Sequence, residues 1–386
     1  DSLTGGRLVG SVTSFENFAE CPLRYYLRYG VDLKEREEFT FSPVNFGVVL
    51  HAVIREVCDE IKKNGESYYL ISEEKRREMV KRSVAAITDI YQNSILKDSS
   101  RNSFMIKRME DLADRTVWAM GEQLKCGDFV PFVFEHKFNM EVGDGDRKQL
   151  MSGTIDRVDI CENGTDVYVR IIDYKTGKKD FNIVKTYYGI DIQLMVYMEA
   201  AMKLVAKMRP GKNVIPAGVF YYNISDPIVS ATTESAEEIE DKIKGELRLK
   251  GMVNSDKDIA EKMDNTEGTS LNIPVSRKAD GGFDSRRSKV MNTEQFNILG
   301  RFVDVRAIDT ADRIAGGDIR RSPYKDGQFS SCDRCPYGAV CGFSVDLPGC
   351  NYRKLKKFDD EVLWNNIKEG VDENGKKMDT GAEERD

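Results

Sequence analysis

Gly153-Thr154-Ile155-Asp156-Arg157-Val158-Asp159, followed by Ile171-Ile172-Asp173-Tyr174-Lys175-Thr176-Gly177, is the stretch that decides how this chain is read. Between the two runs Glu162-Asn163-Gly164 forms a hairpin turn, and Gly143-Asp144-Gly145 forms another upstream. The turns divide residues 129–175 into three strands, about 130–142, 149–160 and 166–175. Asp173 and Lys175 are two apart on the third strand and share a face. Asp156 lies on the preceding antiparallel strand, where its carboxylate can reach the same face. Two carboxylates and a lysine at one end of a sheet can hold a divalent cation and orient a water, as phosphodiester hydrolysis requires. The lysine would align that water or help deprotonate it, and would screen the pentavalent transition state. By itself Asp-x-Lys on a strand is commonly a surface ion pair; the upstream Gly-x-x-Asp on a paired strand gives it weight.

Working outward, Pro43 opens a helix on which Phe46, Leu50, Val53, Val57 and Ile61 recur at helical spacing, and Gly65 ends it. Gly47 and His51 are four apart on it, hence on one face, and the glycine leaves room for a close approach. A lone histidine on an apolar helix is usually a packed core residue, and that reading stays open for His51. An earlier helix begins near Ser14, with Thr13 and Glu16 as a capping box, and runs towards Cys21-Pro22. An aromatic-rich piece continues to Gly30. Two polar amphipathic helices follow, about 72–92 and 103–125. After the lysine, a helix over 190–207 puts Gln193 and Tyr197 on one face, a pairing that in isolation is ordinary. An apolar strand covers 214–224, residues 250–290 read as loops, and Asn292 with Gln295 caps a helix into about 315. Residues 1–10 read as a linker, and the charged tail after Asn366 reads as disordered. Helix, three meandering strands, helix and strand make an α/β fold with a central mixed sheet flanked by helices.

Bulk properties narrow the class. The 386 residues hold 58 Lys and Arg against 65 Asp and Glu, a net charge of −7, unlike a protein that simply coats DNA. Catalytic carboxylates that hold cations are a partial exception to that rule. Basic clusters occur at Lys75-Arg76-Arg77, Lys81-Arg82, Arg320-Arg321, Arg353-Lys354 and Lys356-Lys357, with a solvated face as the plain alternative to nucleic-acid contact. No run approaches the roughly 18 apolar residues that cross a bilayer, and no basic-then-apolar leader is present, so the expectation is no membrane and a cytoplasmic location. A start at Asp1 rather than Met reads as a fragment of a longer chain. No Walker loop occurs: Gly211-Lys212 lacks the upstream glycine and the following Ser or Thr.

Of eight cysteines, Cys332, Cys335 and Cys341 stand in a Cys-x2-Cys-x5-Cys loop. Three is an awkward number for a cluster or for structural zinc, and Cys21, followed by Pro22, is the fourth candidate. A one-plus-three split fits a 4Fe-4S cluster better than zinc, whose structural sites more often use paired knuckles. Zinc remains the alternative, with Cys350 as a stand-in ligand. Cys58, Cys126 and Cys161 read as buried or incidental thiols.

Gly-x-x-x-His, Gly-x-x-Asp, Asp-x-Lys and Gln-x-x-x-Tyr occur here in one order. That order resembles the RecB-like branch of the PD-(D/E)XK nucleases, although Ile155 replaces the usual proline before the first aspartate. The resemblance implies that His51, Asp156, Asp173 and the backbone carbonyl of Tyr174 bind metal. It also implies that Lys175 is the catalytic lysine and that Gln193 and Tyr197 line the site and contact DNA. Added to Ser14-Phe15-Glu16 through Cys21-Pro22, the cysteine framework resembles the C-terminal nuclease domain of the AddB family, over residues 10–345. That resemblance implies a restriction-endonuclease-like core over 11–350, a C-terminal extension over 351–386 that is partly disordered, and a 4Fe-4S staple joining the two ends. It implies an exonuclease that uses Mg²⁺, with Mn²⁺ as a substitute and two ions roughly 4 Å apart. Its substrate would be single-stranded DNA, on the 5′-terminated strand, delivered by a helicase during double-strand-break processing and recombinational repair. The implied partners are DNA, an AddA-type helicase–nuclease partner and the rest of the parent AddB chain, in a bacterial cytoplasm. CRISPR-associated RecB-like nucleases share the cysteine arrangement and rank second, beside a DNA-binding scaffold that has kept the fold and lost cleavage. The cluster's expected role is structural: closing a loop of about 300 residues costs several kcal/mol, which cluster binding can outweigh. Tyr25, Tyr26 and Tyr187 are candidates for stacking on bases, with core packing as the alternative.

Overall fold

The computed structural model describes residues 9–34, 43–90, 100–142, 149–230 and 234–372. The chain begins with β1 (Val9–Ser11), α1 (Val12–Glu20), α2 (Pro22–Tyr25) and a π-helical turn (Tyr26–Gly30). Three long helices follow: α3 (Pro43–Lys63), α4 (Glu73–Ile90) and α5 (Ser100–Lys125). Then come β2 (Val130–Val142), β3 (Gln149–Asn163), β4 (Asp166–Lys175), α6 (Ile183–Tyr187), α7 (Gln193–Met208) and β5 (Asn213–Asn223). The next part holds α8 (Ala236–Glu246), β6 (Lys250–Asn254), α9 (Lys257–Met263), β7 (Val290–Met291) and α10 (Thr293–Ala315). It closes with β8 (Tyr324–Asp326), β9 (Phe329–Ser330), α11 (Gly338–Cys341), β10 (Arg353–Lys354) and α12 (Asp360–Asp372).

The main sheet is mixed, in the order β1-β3-β4-β5-β6-β7, with β2 also on β3. The β2–β3–β4 meander is antiparallel. β5 returns parallel to β4 after α7 crosses over. Hairpin geometry explains the β3–β4 register: Gly164 takes φ +59°, open to glycine without strain, and Asn163 pairs with Asp166 around it. One face of the sheet packs Ile172, Tyr174, Phe220 and Tyr222 against the apolar stripe of α3, with α4 and α5 behind. The other packs Ile155, Ile171 and Val219 against α7 and α10. Burial on both faces is why β4 and β5 read as near-continuous apolar runs.

Three expectations need correction. The first helix is capped by Ser11, whose side chain accepts from Ser14 N–H, not by a Thr13–Glu16 box; Glu16 is engaged elsewhere. Residues 250–290 are not all loop: β6 extends the sheet beside β5, and α9 follows it. Its strand is short and half-polar, so it carries little periodic signal. The tail past Asn366 stays helical to Asp372, because Leu363 and Ile367 bury against α10. The Gly143-Asp144-Gly145 turn, most of the 1–10 linker and residues 373–386 lie outside the described residues.

Behind the meander lies a fully buried ion triad. Arg157 donates from Nε and Nη2 to both Asp159 oxygens at 2.7 Å, and Arg170, opposite on β4, donates to Asp159 Oδ2 at 2.8 Å. Burial alone would raise the Asp159 carboxyl, but the two guanidinium groups outweigh it and lower it. Replacing Asp159 by Ala strands two cations in the interior. The expected loss is about 3–5 kcal/mol of stability, read from the denaturant midpoint.

Candidate active site and cysteine cluster

The β3–β4 ladder runs from Asn163↔Asp166 to Arg157↔Ile172 and stops there. The next pair in that register would set Asp156 opposite Asp173. Instead the strands part: β3 stays with β2, through Ile155↔His136, while β4 stays with β5, through Asp173↔Tyr221 and Lys175↔Asn223. The amide freed by this fork is taken by a side chain, Tyr174 N–H donating to Asp156 Oδ2 at 2.6 Å. Asp156 and Asp173 are both buried at the crotch.

From α3, His51 brings Nδ1 to 3.4 Å from Asp156 Oδ1 and 3.6 Å from Glu135 Oε1. One ligand atom from each of His51, Glu135 and Asp156 lies within 4.8 Å of the others, a donor set suited to a cation. Burial pulls the His51 imidazole down in pKa, yet contact with Asp156 and Glu135 outweighs it and lifts the group to about 10. Asp173 stands beside this trio with Oδ2 2.5 Å from Lys175 Nζ. Burial first, then the Asp156 charge, raises Asp173 to about 6. Carboxylates this crowded and desolvated would be relieved by a divalent cation.

Lys175 Nζ also donates to Gln193 Oε1 at 3.0 Å, and Gln193 Nε2 donates to Tyr197 OH at 2.9 Å. Gln193 and Tyr197 therefore share one face of α7, turned to the lysine. Gly153 explains its place in the motif: a Cβ there would sit 2.8 Å from a Phe138 ring carbon and 3.0 Å from the Tyr197 ring. Gly47 makes no such demand, since its Cβ would meet Thr176 at an ordinary 3.6 Å.

Glu135 carries no signal in the sequence, where it is one more polar residue on an alternating strand. Its backbone adopts φ +47°, costly for a residue with a Cβ and found where the surroundings enforce it. That twist lies beside the β2 bulge between Pro131 and Val133, and the Glu135 carboxylate meets His51. Tyr187 is no base-stacking platform, because its ring stacks on Phe302 at 5.4 Å and meets Phe358 edge-on. Most basic clusters are neutralised at home: Arg76 on Asp114, Arg77 on Glu73, Arg82 on Glu60 and Arg320 on Asp318.

Far along the chain, Cys21, Cys332, Cys335 and Cys341 line one pocket, with Leu27, Pro323 and Phe343 among its apolar walls. Burial raises the Cys332 and Cys341 thiols, and Cys21 and Cys335 push both further up. All four lie among the described residues, and no three of their sulfurs fall within 4.8 Å of one another. Cys350 is buried but does not line this pocket. Around it the chain ends are tied: Leu23 N–H donates to Arg320 O at 3.2 Å, Tyr337 OH to Leu33 O at 3.0 Å, and Arg353 to Ala19 O. The small β10-β8-β9 sheet carries Arg353 there.

Residues 10–342 match the family model of the PD-(D/E)XK nuclease superfamily, and the chain belongs to that superfamily. Among curated proteins it is 34% identical, over 99% of its length, to the B-type subunit of the ATP-dependent helicase/deoxyribonuclease of Lachnoclostridium phytofermentans. It is 33% identical over 96% of its length to the protein of that name from Thermoanaerobacter pseudethanolicus, and 34% identical over all of it to that from Caldanaerobacter subterraneus subsp. tengcongensis. The chain covers 34%, 33% and 34% of those relatives, about a third of each.

Gly153→Ala tests the packing of the site. The Phe138 and Tyr197 rings must move to admit the methyl group, at an expected cost of about 1–3 kcal/mol in a denaturant titration.

Proposed function

We propose that this chain is the nuclease domain of a helicase–nuclease subunit, a divalent-metal-dependent exonuclease that degrades the 5′-terminated single strand during double-strand-break processing. The observation that carries the reading is the fork, where Asp156, Asp173, His51 and Glu135 crowd beside an anchored Lys175. The names of the relatives support the helicase partnership and the DNA substrate. Strand polarity and the AddA-type partner rest on the family resemblance.

In this reading His51, Glu135, Asp156 and Asp173, with the Tyr174 carbonyl, hold Mg²⁺, and Mn²⁺ is accepted because one donor is an imidazole. When bound, the metal supplies Lewis-acid activation of water and neutralises phosphate charge. Lys175, held between Asp173 and Gln193, keeps its ammonium where it can align the attacking water and meet charge on the phosphorane. The water oxygen forms the new P–O bond, the bridging P–O bond breaks, and the proton ends on the departing oxygen. Tyr197 keeps Gln193 facing the lysine.

The cysteine pocket is proposed to hold a 4Fe-4S cluster. Thiolates about 2.3 Å from one zinc would bring their sulfurs to roughly 4 Å from one another, closer than the spacing seen here. The mutual upward push on Cys332 and Cys341 is the charge problem that a cationic cluster core solves.

Asp173→Ala and Lys175→Ala should each abolish Mg²⁺-dependent digestion of single-stranded DNA while leaving DNA binding in place; undiminished digestion would sink the site. Cys335→Ser should lose iron and sulfide on metal analysis and melt earlier, a failure of folding rather than of chemistry. A wild-type protein loaded with zinc and free of iron would overturn the cluster.

A further inference from the structure

Helix α7 carries Gln193 as its first residue yet has no cap of its own: Ile192, at the N-cap, has no side chain able to accept its amides. The acceptor comes from a distant element. Glu16, on α1, places Oε1 2.9 Å from Ile192 N and 3.0 Å from Gln193 N, receiving both N–H groups. The next contacts lead into the candidate active site. Gln193 Oε1 receives Lys175 Nζ at 3.0 Å, and Lys175 Nζ lies 2.5 Å from Asp173. Gln193 Nε2 is committed to Tyr197 OH at 2.9 Å, which decides that the amide oxygen faces the lysine.

We propose that Glu16 is a positioning residue for Lys175: its carboxylate fixes the first turn of α7, and through Gln193 it fixes where the lysine ammonium sits. This rests on the reading of Lys175 as the catalytic lysine. The cap lies in a charge cluster of its own, where Lys179 Nζ meets Asp191 Oδ1 at 3.0 Å and Tyr221 OH donates to the same oxygen at 2.6 Å. Desolvation raises the Glu16 carboxyl to about 7, against the opposing pull of Lys179. Oε1 accepts the two amides whether or not the group is ionised, so a glutamine can reproduce the cap.

The test is a double-mutant cycle of Glu16→Ala and Gln193→Ala, read as kcat and KM for single-stranded DNA in the intact protein. Glu16→Ala is expected to lower kcat about 10- to 100-fold with KM little changed, the scale of loss for a misplaced catalytic group. Glu16→Gln should recover most of that loss. In the Gln193→Ala background Glu16→Ala should add almost nothing, since the relay is already cut. Multiplicative losses, a loss confined to KM, or a Gln variant as poor as Ala would each overturn the proposal. Should the Ala variant not fold, Glu16→Asp, one methylene short, carries the same cycle. Lys175→Ala is run alongside. If it digests DNA normally, the reading of the site falls and this proposal with it; if it is inactive while the cycle multiplies, only this proposal falls.

Discussion

Where β3 and β4 part, a sheet that is otherwise a continuous ladder turns into a cleft. Hydrogen bonding on both sides enforces the separation: β3 is drawn along by β2, and β4 is drawn along by β5. An amide left without a strand partner inside a protein costs free energy, so the fork persists only because Asp156 accepts the Tyr174 N–H. The same carboxylate faces His51. One side chain thus closes the backbone accounting and opens the site. The Asp159 triad just behind the fork keeps the paired part of the hairpin in register up to the branch point.

The site is assembled from every layer of the fold. The helix layer on one face delivers His51 and the helix layer on the other delivers Gln193 and Tyr197, while the sheet carries both aspartates and Lys175 between them. Such a site is sensitive to how the layers are held, and α1 bears on both ends of that problem. Glu16 reaches forward to α7, and five residues on Cys21 reaches the cysteine pocket, where hydrogen bonds from Arg320 to Arg353 meet the start of the chain. A proposed cluster there would clamp the element that supports the lysine.

Strain and repulsion concentrate where the chemistry is proposed. Glu135 holds a left-handed backbone, His51 is pressed towards its charged form, and Asp173 is pressed towards its neutral one. Structures store such costs where the surrounding packing over-determines the geometry and a ligand repays them.

The sequence by itself determined what is local in the chain. The α3 stripe, the three strands of the meander and the box that caps α10 follow from periodicity and turn chemistry, which nearest neighbours control. Asp173 and Lys175 on one face follow from a period of two, and Asp156 opposite follows from a two-residue turn at Gly164. The tertiary structure decided the rest. Glu135 could not be found in advance, because its role depends on a backbone twist beside a bulge. Glu16 looks like a local cap, yet its acceptor is spent on amides 176 and 177 residues away, a choice made by packing α1 against α7. The gathering of Cys21 with a loop some three hundred residues later likewise depends on two chain ends meeting in space, which spacing can suggest and only long-range packing can bring about.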